Sequence, residues 1–167
     1  AAIRALHAAL AASGRPFALT VFSDHGMTPL VKTVDLQAAV AATGLVFGRD
    51  YGACCDATLY RVTYLADRAR RLIPAALAPF AADGRWLTEA EERALGIWRA
   101  DRAFGDAIFL VNPGVQIVPS DMGLKPLGGM HGYDPADEHS RAAILSTEPL
   151  PGYVRHVADY FKLMTGE

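Results

Sequence analysis

The stretch Phe17-Ala-Leu-Thr-Val-Phe-Ser-Asp-His-Gly-Met27 decides the fold. Its first six residues, Phe17–Phe22, are mostly apolar and predict a short buried strand. A carboxylate and an imidazole follow at once, in Asp24 and His25. Ligands of open α/β sheets bind at the carboxyl ends of strands, and Asp with His is a donor pair that suits zinc or a similar divalent ion. The same residues also fit a plain turn, in which Asp24 caps the chain and His25 is an ordinary polar loop residue.

Helical patterns flank this strand on both sides. Apolar residues recur at helical spacing from Ile3 to Leu10, and Gly14 closes that helix. Asp35 is placed to cap a second helix, Leu36–Thr43. A helix, a tight turn and a buried strand make an αβ unit, so we expect an α/β fold with a mainly parallel sheet.

Residues 54–118 have a different character and predict a small α+β segment inserted on the main sheet. The first expected elements are a strand, Thr58–Leu65, and a helix through Ile73 that Asp67 could cap and that Pro74 kinks or follows with a new turn. A helix opened by a capping box of Thr88 and Glu91 and a hairpin of Ala107–Val111 with Val115–Val118 are expected next. Arg68, Arg70 and Arg71 fit either a phosphate-binding cluster or a solvated helix face, and the nearby Asp67 favours the latter. The adjacent Cys54 and Cys55 are interpreted as packing residues.

The last segment, residues 119–167, begins with a long irregular stretch that carries Gly128-Gly-Met-His-Gly-Tyr-Asp-Pro135. Loops this long are usually functional or disordered, and glycine follows His131 as it follows His25. Tyr133 could stack on a substrate base or pack its own loop, and Asp134 could orient His131 or turn the chain. A core strand, Ala142–Ser146, and an amphipathic helix, Tyr153–Met164, are expected to end the chain.

Composition excludes several classes of protein. The chain has 167 residues, of which 51% are hydrophobic and 20% charged, as in a folded globular protein. The net charge of -2 gives no reason to expect a nucleic-acid polymer as a partner. No apolar run approaches the roughly 20 residues of a membrane-spanning helix. The chain opens without Met and within a helical pattern, so we expect it to begin inside a longer protein, and its compartment stays unknown.

Two motifs together resemble a known family. Ser23-Asp-His-Gly-Met27, followed later by Gly129-Met-His-Gly-Tyr-Asp-Pro135, resembles the type I phosphodiesterase/nucleotide pyrophosphatase family of the alkaline phosphatase superfamily. Cys55-Asp-Ala-Thr-Leu-Tyr-Arg61 and Gly114-Val-Gln-Ile-Val-Pro-Ser120 are similar to its bacterial members. The resemblance implies part of a three-layer α/β/α core with a small α+β insertion. Segments 1–53, 54–118 and 119–167 would then form one incomplete catalytic domain.

The resemblance also implies two divalent metal ions, with zinc as the expected element. Asp24 and His25 would bind one zinc, and His131 would bind the other. The family's Thr or Ser nucleophile has no counterpart here, so the chain looks like the C-terminal half of an enzyme. We therefore expect no turnover by the chain alone, a phosphodiester or nucleotide small molecule as the substrate of the whole enzyme, and self-association through an uncovered apolar surface.

Other functions fit some of the same residues. A different hydrolase of the superfamily, such as a sulfatase or a phosphomonoesterase, would share Asp24 and His25 but has no reason to keep His-Gly-Tyr-Asp. A non-catalytic binding domain would keep both loops without any metal. Metal content and the preference between phosphodiester and phosphomonoester substrates distinguish these alternatives.

Overall fold

A computed structural model describes residues 1–166, which fall into two compact units. The first unit contains Ala1–Gly26 and the described residues from Arg141 onward, and the second unit contains Met27–Ser140. Among residues 1–166, no helix is long and apolar enough to cross a membrane. The division of the chain into segments 1–53, 54–118 and 119–167 stays a prediction.

The helices and strands of the described residues are numbered in chain order. The helices are α1 (Ala2–Ala12), α2 (Leu36–Ala41), α3 (Asp67–Leu77), α4 (Glu89–Ala94) and α5 (Asp159–Thr165). The strands are β1 (Thr20–Phe22), β2 (Thr28–Pro29), β3 (Lys32–Val34), β4 (Tyr51–Cys55), β5 (Leu59–Tyr64), β6 (Gly84–Trp86), β7 (Ala107–Val111), β8 (Val115–Ile117), β9 (Gly129–Met130) and β10 (Ile144–Ser146). Short 3-10 turns cover Ala78–Phe80 and Glu138–Ser140.

The first unit is built on an antiparallel pair of strands, β1 and β10. The expected buried strand Phe17–Phe22 is wrong in length and burial, because pairing begins at Thr20 and Phe22 is 42% exposed. The expected core strand Ala142–Ser146 is likewise shorter, and Leu145 is 66% exposed. Among the described residues this sheet has two strands, so each strand has a neighbour on one side only. Its side chains are therefore less covered than those of a central strand.

The two helices of the first unit differ in how well they were predicted. The first helix ends as expected, with Gly14 in the left-handed region at a φ of 68°. The last helix, expected over Tyr153–Met164, begins only at Asp159. The Asp159 carboxylate accepts hydrogen bonds from the backbone N–H groups of Arg155 and His156, at 2.9 and 2.7 Å, so the chain turns there before the helix starts.

The second unit contains a four-stranded antiparallel sheet with the strand order β4-β5-β7-β6. Helices α2 and α3 contribute fully buried residues to the core against this sheet, among them Leu36, Val40, Ile73 and Leu77. The expectation of a mainly parallel sheet is wrong for the described residues, where β3 with β8 is the parallel pair and the other pairs are antiparallel.

The expected hairpin of Ala107–Val111 and Val115–Val118 is also wrong. Both strands exist, but β7 lies between β5 and β6, whereas β8 pairs with β3. The strand β6, which no sequence pattern indicated, occupies the position beside β7. A Cβ atom at Gly84 would lie 2.6 Å from the Leu110 carbonyl oxygen and 2.7 Å from the Phe109 ring, so glycine lets β6 approach β7 closely.

Local signals at helix ends were more informative. Asp35 caps α2 by accepting a 2.8 Å hydrogen bond from Ala38 N–H, and the capping box of Thr88 and Glu91 is confirmed at α4. At α3 the signals were less informative. Asp67 lies inside the helix and makes no side-chain cap, and the helix continues through Pro74 to Leu77, so Pro74 does not begin a new turn.

Candidate metal-binding motifs

The first motif follows directly from β1. Ser23 anchors it, because its backbone N–H donates to the Ala143 carbonyl and its Oγ accepts from the Ala143 N–H, both at 2.9 Å. These bonds extend the β1–β10 pairing by one residue and fix the point at which Asp24 leaves the strand. The motif therefore lies at the carboxyl end of a strand, as the sequence predicts.

Asp24 and His25 present two donor groups side by side. The Asp24 side chain is 80% exposed, and its Oδ1 lies 3.5 Å from His25 Nε2. His25 Nδ1 lies 2.6 Å from the Gly26 carbonyl oxygen. A carbonyl only accepts, so Nδ1 is the donor in this contact. A contact of this kind fixes the orientation of an imidazole ring, and a ring held through Nδ1 can bind a metal through Nε2.

The second motif begins with β9, which pairs antiparallel with β2. Thr28 lies opposite Met130 in that pair, and His131 comes next along the chain. Gly132 has a φ of 89°, and its carbonyl accepts a 2.9 Å hydrogen bond from Thr58 Oγ1. A Cβ at Gly132 would lie 2.9 Å from the same Thr58 oxygen. The loop that carries His131 is thus held against the sheet where only glycine fits easily.

Tyr133 and Asp134 stabilise this loop. Tyr133 is 5% exposed and donates a 2.8 Å hydrogen bond to the Val115 carbonyl, and burial raises the pKa of Tyr133 to about 12. Asp134 accepts hydrogen bonds from Ala136 N–H at 3.0 Å and from Arg85 at 2.8 Å, which together lower its pKa. These contacts agree with the packing role for Tyr133 and the turn role for Asp134.

Asp137, which the sequence motifs did not single out, links the loop after the second motif to Thr28 at the start of β2. Its carboxylate accepts a 2.5 Å hydrogen bond from Thr28 Oγ1 and a 3.0 Å bond from Ser140 Oγ. The bond from Thr28 is the largest cause of a lowered pKa of Asp137. Only its presence in the loop after His-Gly-Tyr-Asp could have pointed to it, because Thr28 lies far away in sequence.

Two of the three arginines of α3, Arg68 and Arg70, make structural contacts. Arg68 forms a bidentate ion pair with Asp50, and this pair, with further help from Val46 N–H, holds the pKa of Asp50 well below its usual range. Arg70 lies 3.8 Å from Asp106 and stacks over the Tyr64 ring at 5.0 Å. The helix face therefore pairs with carboxylates of the protein, in agreement with the interpretation preferred from the sequence.

The donor set fits part of a metal site. Asp24 and His25 belong to the first unit and His131 to the second. Among residues 1–166, no three side chains of His, Cys, Asp or Glu come together as a metal-binding group. A catalytic zinc needs about three protein ligands, so the adjacent Asp24 carboxylate and His25 Nε2 match the chemistry of an incomplete site. Their assignment as ligands, and that of His131, stays a prediction.

Comparison with known proteins places the fold. No protein-family model matches the chain, and no curated protein matches it in sequence. Murine ectonucleotide pyrophosphatase/phosphodiesterase 5 is similar in structure over 79% of the chain, with a TM-score of 0.60 and 19% identity. Phosphonoacetate hydrolase from Sinorhizobium meliloti 1021, in complex with phosphonoformate, is similar over 90% of the chain, with a TM-score of 0.58 and 17% identity. The chain has an alkaline-phosphatase-like fold.

The alkaline-phosphatase-like fold confirms the structural part of the resemblance that the two motifs carried. The human ectonucleotide pyrophosphatase/phosphodiesterase 5 is also similar, with a TM-score of 0.59 and 17% identity. The chain covers 34% of the murine protein, 33% of the human protein and 41% of the phosphonoacetate hydrolase. At these identities the likeness concerns the fold, and the activity is a separate question.

Proposed function

We propose that the chain is part of a metal-dependent phosphoric ester hydrolase that acts on phosphodiester or pyrophosphate bonds of small nucleotide-like substrates. The observation that carries this proposal is the Asp24–His25 pair at the end of β1 in an alkaline-phosphatase-like fold, where the Gly26 carbonyl contacts His25 Nδ1. The His131 loop supports it, because β9 and the hydrogen bond to Thr58 hold that loop in place.

Each motif has one role in this proposal. Asp24 and His25 hold one divalent ion, for which zinc is the expected element, and His131 holds a second. When bound, such ions polarise phosphoryl oxygens and stabilise the attacking and leaving oxygens of a displacement at phosphorus. The chain's own contribution is to present a carboxylate and an imidazole side by side, with the Gly26 carbonyl orienting the His25 ring.

The nucleophile is not assigned to any residue of the chain. The family that the motifs resemble uses a Thr or Ser, and neither motif contains a counterpart. A similar structure is that of an inactive Thr-to-Ala variant of the murine protein in complex with AMP. The 167 residues are therefore proposed to bind metal and to lack turnover by themselves.

A second candidate function is phosphonate hydrolysis. The phosphonoacetate hydrolase is similar over 90% of the chain, a larger share than the 79% of the murine phosphodiesterase. Both chemistries need a metal site that polarises oxygens on phosphorus, so Asp24, His25 and His131 would keep the same roles. The substrates differ in the bond that breaks, which is P–O in one case and P–C in the other.

Metal binding is tested on the 167-residue chain. Zinc bound per chain is measured after dialysis, for the wild type and for Asp24→Asn, His25→Ala and His131→Ala. We expect each substitution to weaken zinc binding by about tenfold or more. His7→Ala and His156→Ala are matched controls, because both remove an imidazole outside the motifs. Equal zinc binding by all five variants and the wild type contradicts the assignment.

The reaction is tested on the natural gene product. Hydrolysis rates are compared on bis(p-nitrophenyl) phosphate, p-nitrophenyl phosphate and phosphonoacetate in the presence of zinc. A higher kcat/KM on the diester supports the phosphodiesterase, and release of phosphate from phosphonoacetate supports the second candidate. A preference for the monoester overturns both.

A further inference from the structure

Arg61 is a charged residue in the middle of a sheet, opposite Cys54 in the β4–β5 register. Its neighbours Tyr60 and Val62 are 2% and 0% exposed and point to the core. Successive side chains of a strand point to opposite faces, so Arg61 and Cys54 occupy the other face. The sheet therefore carries a half-buried guanidinium on the side away from its hydrophobic core.

The charge of Arg61 is not balanced by a carboxylate. Within residues 1–166, the ion pairs formed by arginines include those of Arg68, Arg85 and Arg102 but none of Arg61. Arg61 Nη2 donates to Cys54 Sγ at 3.0 Å, and its Nε is buried with no hydrogen-bond partner among the described residues. Partial burial of a cation without a counter-charge is costly, and that cost falls when an anion binds beside it.

A cavity of about 310 Å³ opens at this guanidinium. Arg61 is its only charged lining residue among those described, and the Thr63 hydroxyl is a further polar group there. Phe47 and Phe104 supply apolar walls, and the Arg61 guanidinium carbon lies 5.6 Å from the centre of the Phe104 ring. The volume suits a small ligand, the positive lining favours a negative one, and the rings favour one with an apolar part.

We propose that this cavity binds a small organic oxyanion, a carboxylate or phosphonate with an apolar or aromatic substituent, through Arg61. The guanidinium nitrogens donate charge-assisted hydrogen bonds to the oxyanion, the Thr63 hydroxyl lies along the same lining, and the substituent rests against the two phenylalanine rings. None of these residues belongs to the two metal-binding motifs, so anion binding here does not require the proposed hydrolase chemistry.

The first test measures binding by calorimetry to the 167-residue chain. The probes are benzoate and phenylphosphonate, with benzamide as the uncharged analogue and inorganic phosphate as the oxyanion without an apolar part. We expect saturable binding of benzoate or phenylphosphonate, weaker binding of phosphate and none of benzamide. The comparison of benzoate with phenylphosphonate identifies the preferred head group. Binding of benzamide as tight as that of benzoate overturns the proposal.

Variants locate the site. Arg61→Gln is expected to raise the dissociation constant of benzoate by about tenfold or more, since hydrogen bonds to charged groups are lost. Arg71→Gln makes the same change in net charge on an exposed position of α3 and is expected to leave the constant unchanged. Arg61→Lys keeps the charge without the planar guanidinium, so its dissociation constant for benzoate is expected to lie between those of the wild type and Arg61→Gln. Equal affinities of Arg61→Gln and wild type overturn the proposal.

A labelling experiment on the wild type gives an answer even if Arg61→Gln does not fold. Cys54 lies beside Arg61 in the cavity lining, whereas Cys55 is 3% exposed and points to the core. Benzoate at saturation is expected to slow alkylation of Cys54 by iodoacetamide at least severalfold and to leave Cys55 unchanged. An unchanged Cys54 rate, or equal slowing at both thiols, contradicts occupancy of the cavity.

Discussion

Thr28 Oγ1 donates a 2.5 Å hydrogen bond to the Asp137 carboxylate, across 109 positions of the sequence. Thr28 follows the Asp-His-Gly-Met motif, and Asp137 lies in the loop that follows His-Gly-Tyr-Asp. Thr28 also pairs with Met130, the residue before His131. Within the second unit, Thr28 therefore links the start of β2, just after the first motif, to Met130 on one side of His131 and to Asp137 on the other.

This relationship predicts that Thr28→Val destabilises the second unit. Thr28 is 4% exposed, so valine keeps the shape while the Asp137 carboxylate loses its shortest hydrogen bond. We expect the free energy of unfolding to fall by about 1.5–3 kcal/mol, the usual range for hydrogen bonds to charged groups. Urea denaturation measures this loss. Thr33→Val, at an exposed position of β3, is the matched control, and an equal loss in both variants would contradict the role of the bond.

The Asp50–Arg68 pair predicts a loss of stability in acid. Arg68, Val46 N–H and Arg49 lower the pKa of Asp50 in the folded state below its ordinary value of 3.8. A lowered folded-state pKa stabilises the protein above the unfolded-state pKa, and this contribution disappears as the pH falls through and below that value. The midpoint of unfolding is measured at pH values from 7 to 2. We expect this midpoint to decrease once the pH is below about 4.

Asp50→Asn separates this effect from general acid denaturation. The variant is expected to be less stable than the wild type at pH 7 and to lose less of its remaining stability between pH 4 and pH 2. Glu148→Gln, which removes one carboxylate at an exposed position, is the matched control for the loss of a negative charge. If stability falls as steeply between pH 4 and pH 2 in Asp50→Asn as in the wild type, Asp50 is excluded as the source of the acid sensitivity.

Local signals predicted the helices better than the sheets because a helix end is decided by residues close in sequence. The Asp35 cap and the box of Thr88 and Glu91 are of this kind. Whether β7 pairs with β8 or with β5 depends on contacts across the fold, so the apolar patterns of Ala107–Val111 and Val115–Val118 could indicate two strands but not their partners.

The candidate site shows the same limit. Asp24, His25 and His131 could be predicted as ligands because each lies in a short motif, and their assignment stays a prediction. The role of Asp137 could not be predicted, because its partner Thr28 is distant in sequence. The burial expected for Phe17–Phe22 failed because an apolar run specifies a strand, whereas the number of its neighbours decides how far Phe22 is covered.

Gly84 predicts a steric limit at the edge of the four-stranded sheet. In Gly84→Ala the new Cβ would lie 2.6 Å from the Leu110 carbonyl oxygen, so β6 must shift away from β7. We expect destabilisation of about 1–3 kcal/mol, as for overpacking of a core. Gly128→Ala is the matched control, because no atom of residues 1–166 lies within 4 Å of the point that its new Cβ would occupy. Thermal unfolding of both variants checks this, and equal melting temperatures would contradict the close approach.

The apolar surface of the first unit predicts self-association of the 167-residue chain. Helix α1 has no buried residue, and the two-stranded β1–β10 sheet exposes Leu145 to 66%. Exposed apolar side chains beside unpaired strand edges favour association with a second copy. Light scattering across a concentration series should show a mass that rises with concentration, and Leu145→Glu should reduce it. Val31→Glu, at a position that is 85% exposed in the second unit, is the control for added charge. A constant monomer mass in the wild type, or equal effects of the two substitutions, would exclude association through this surface.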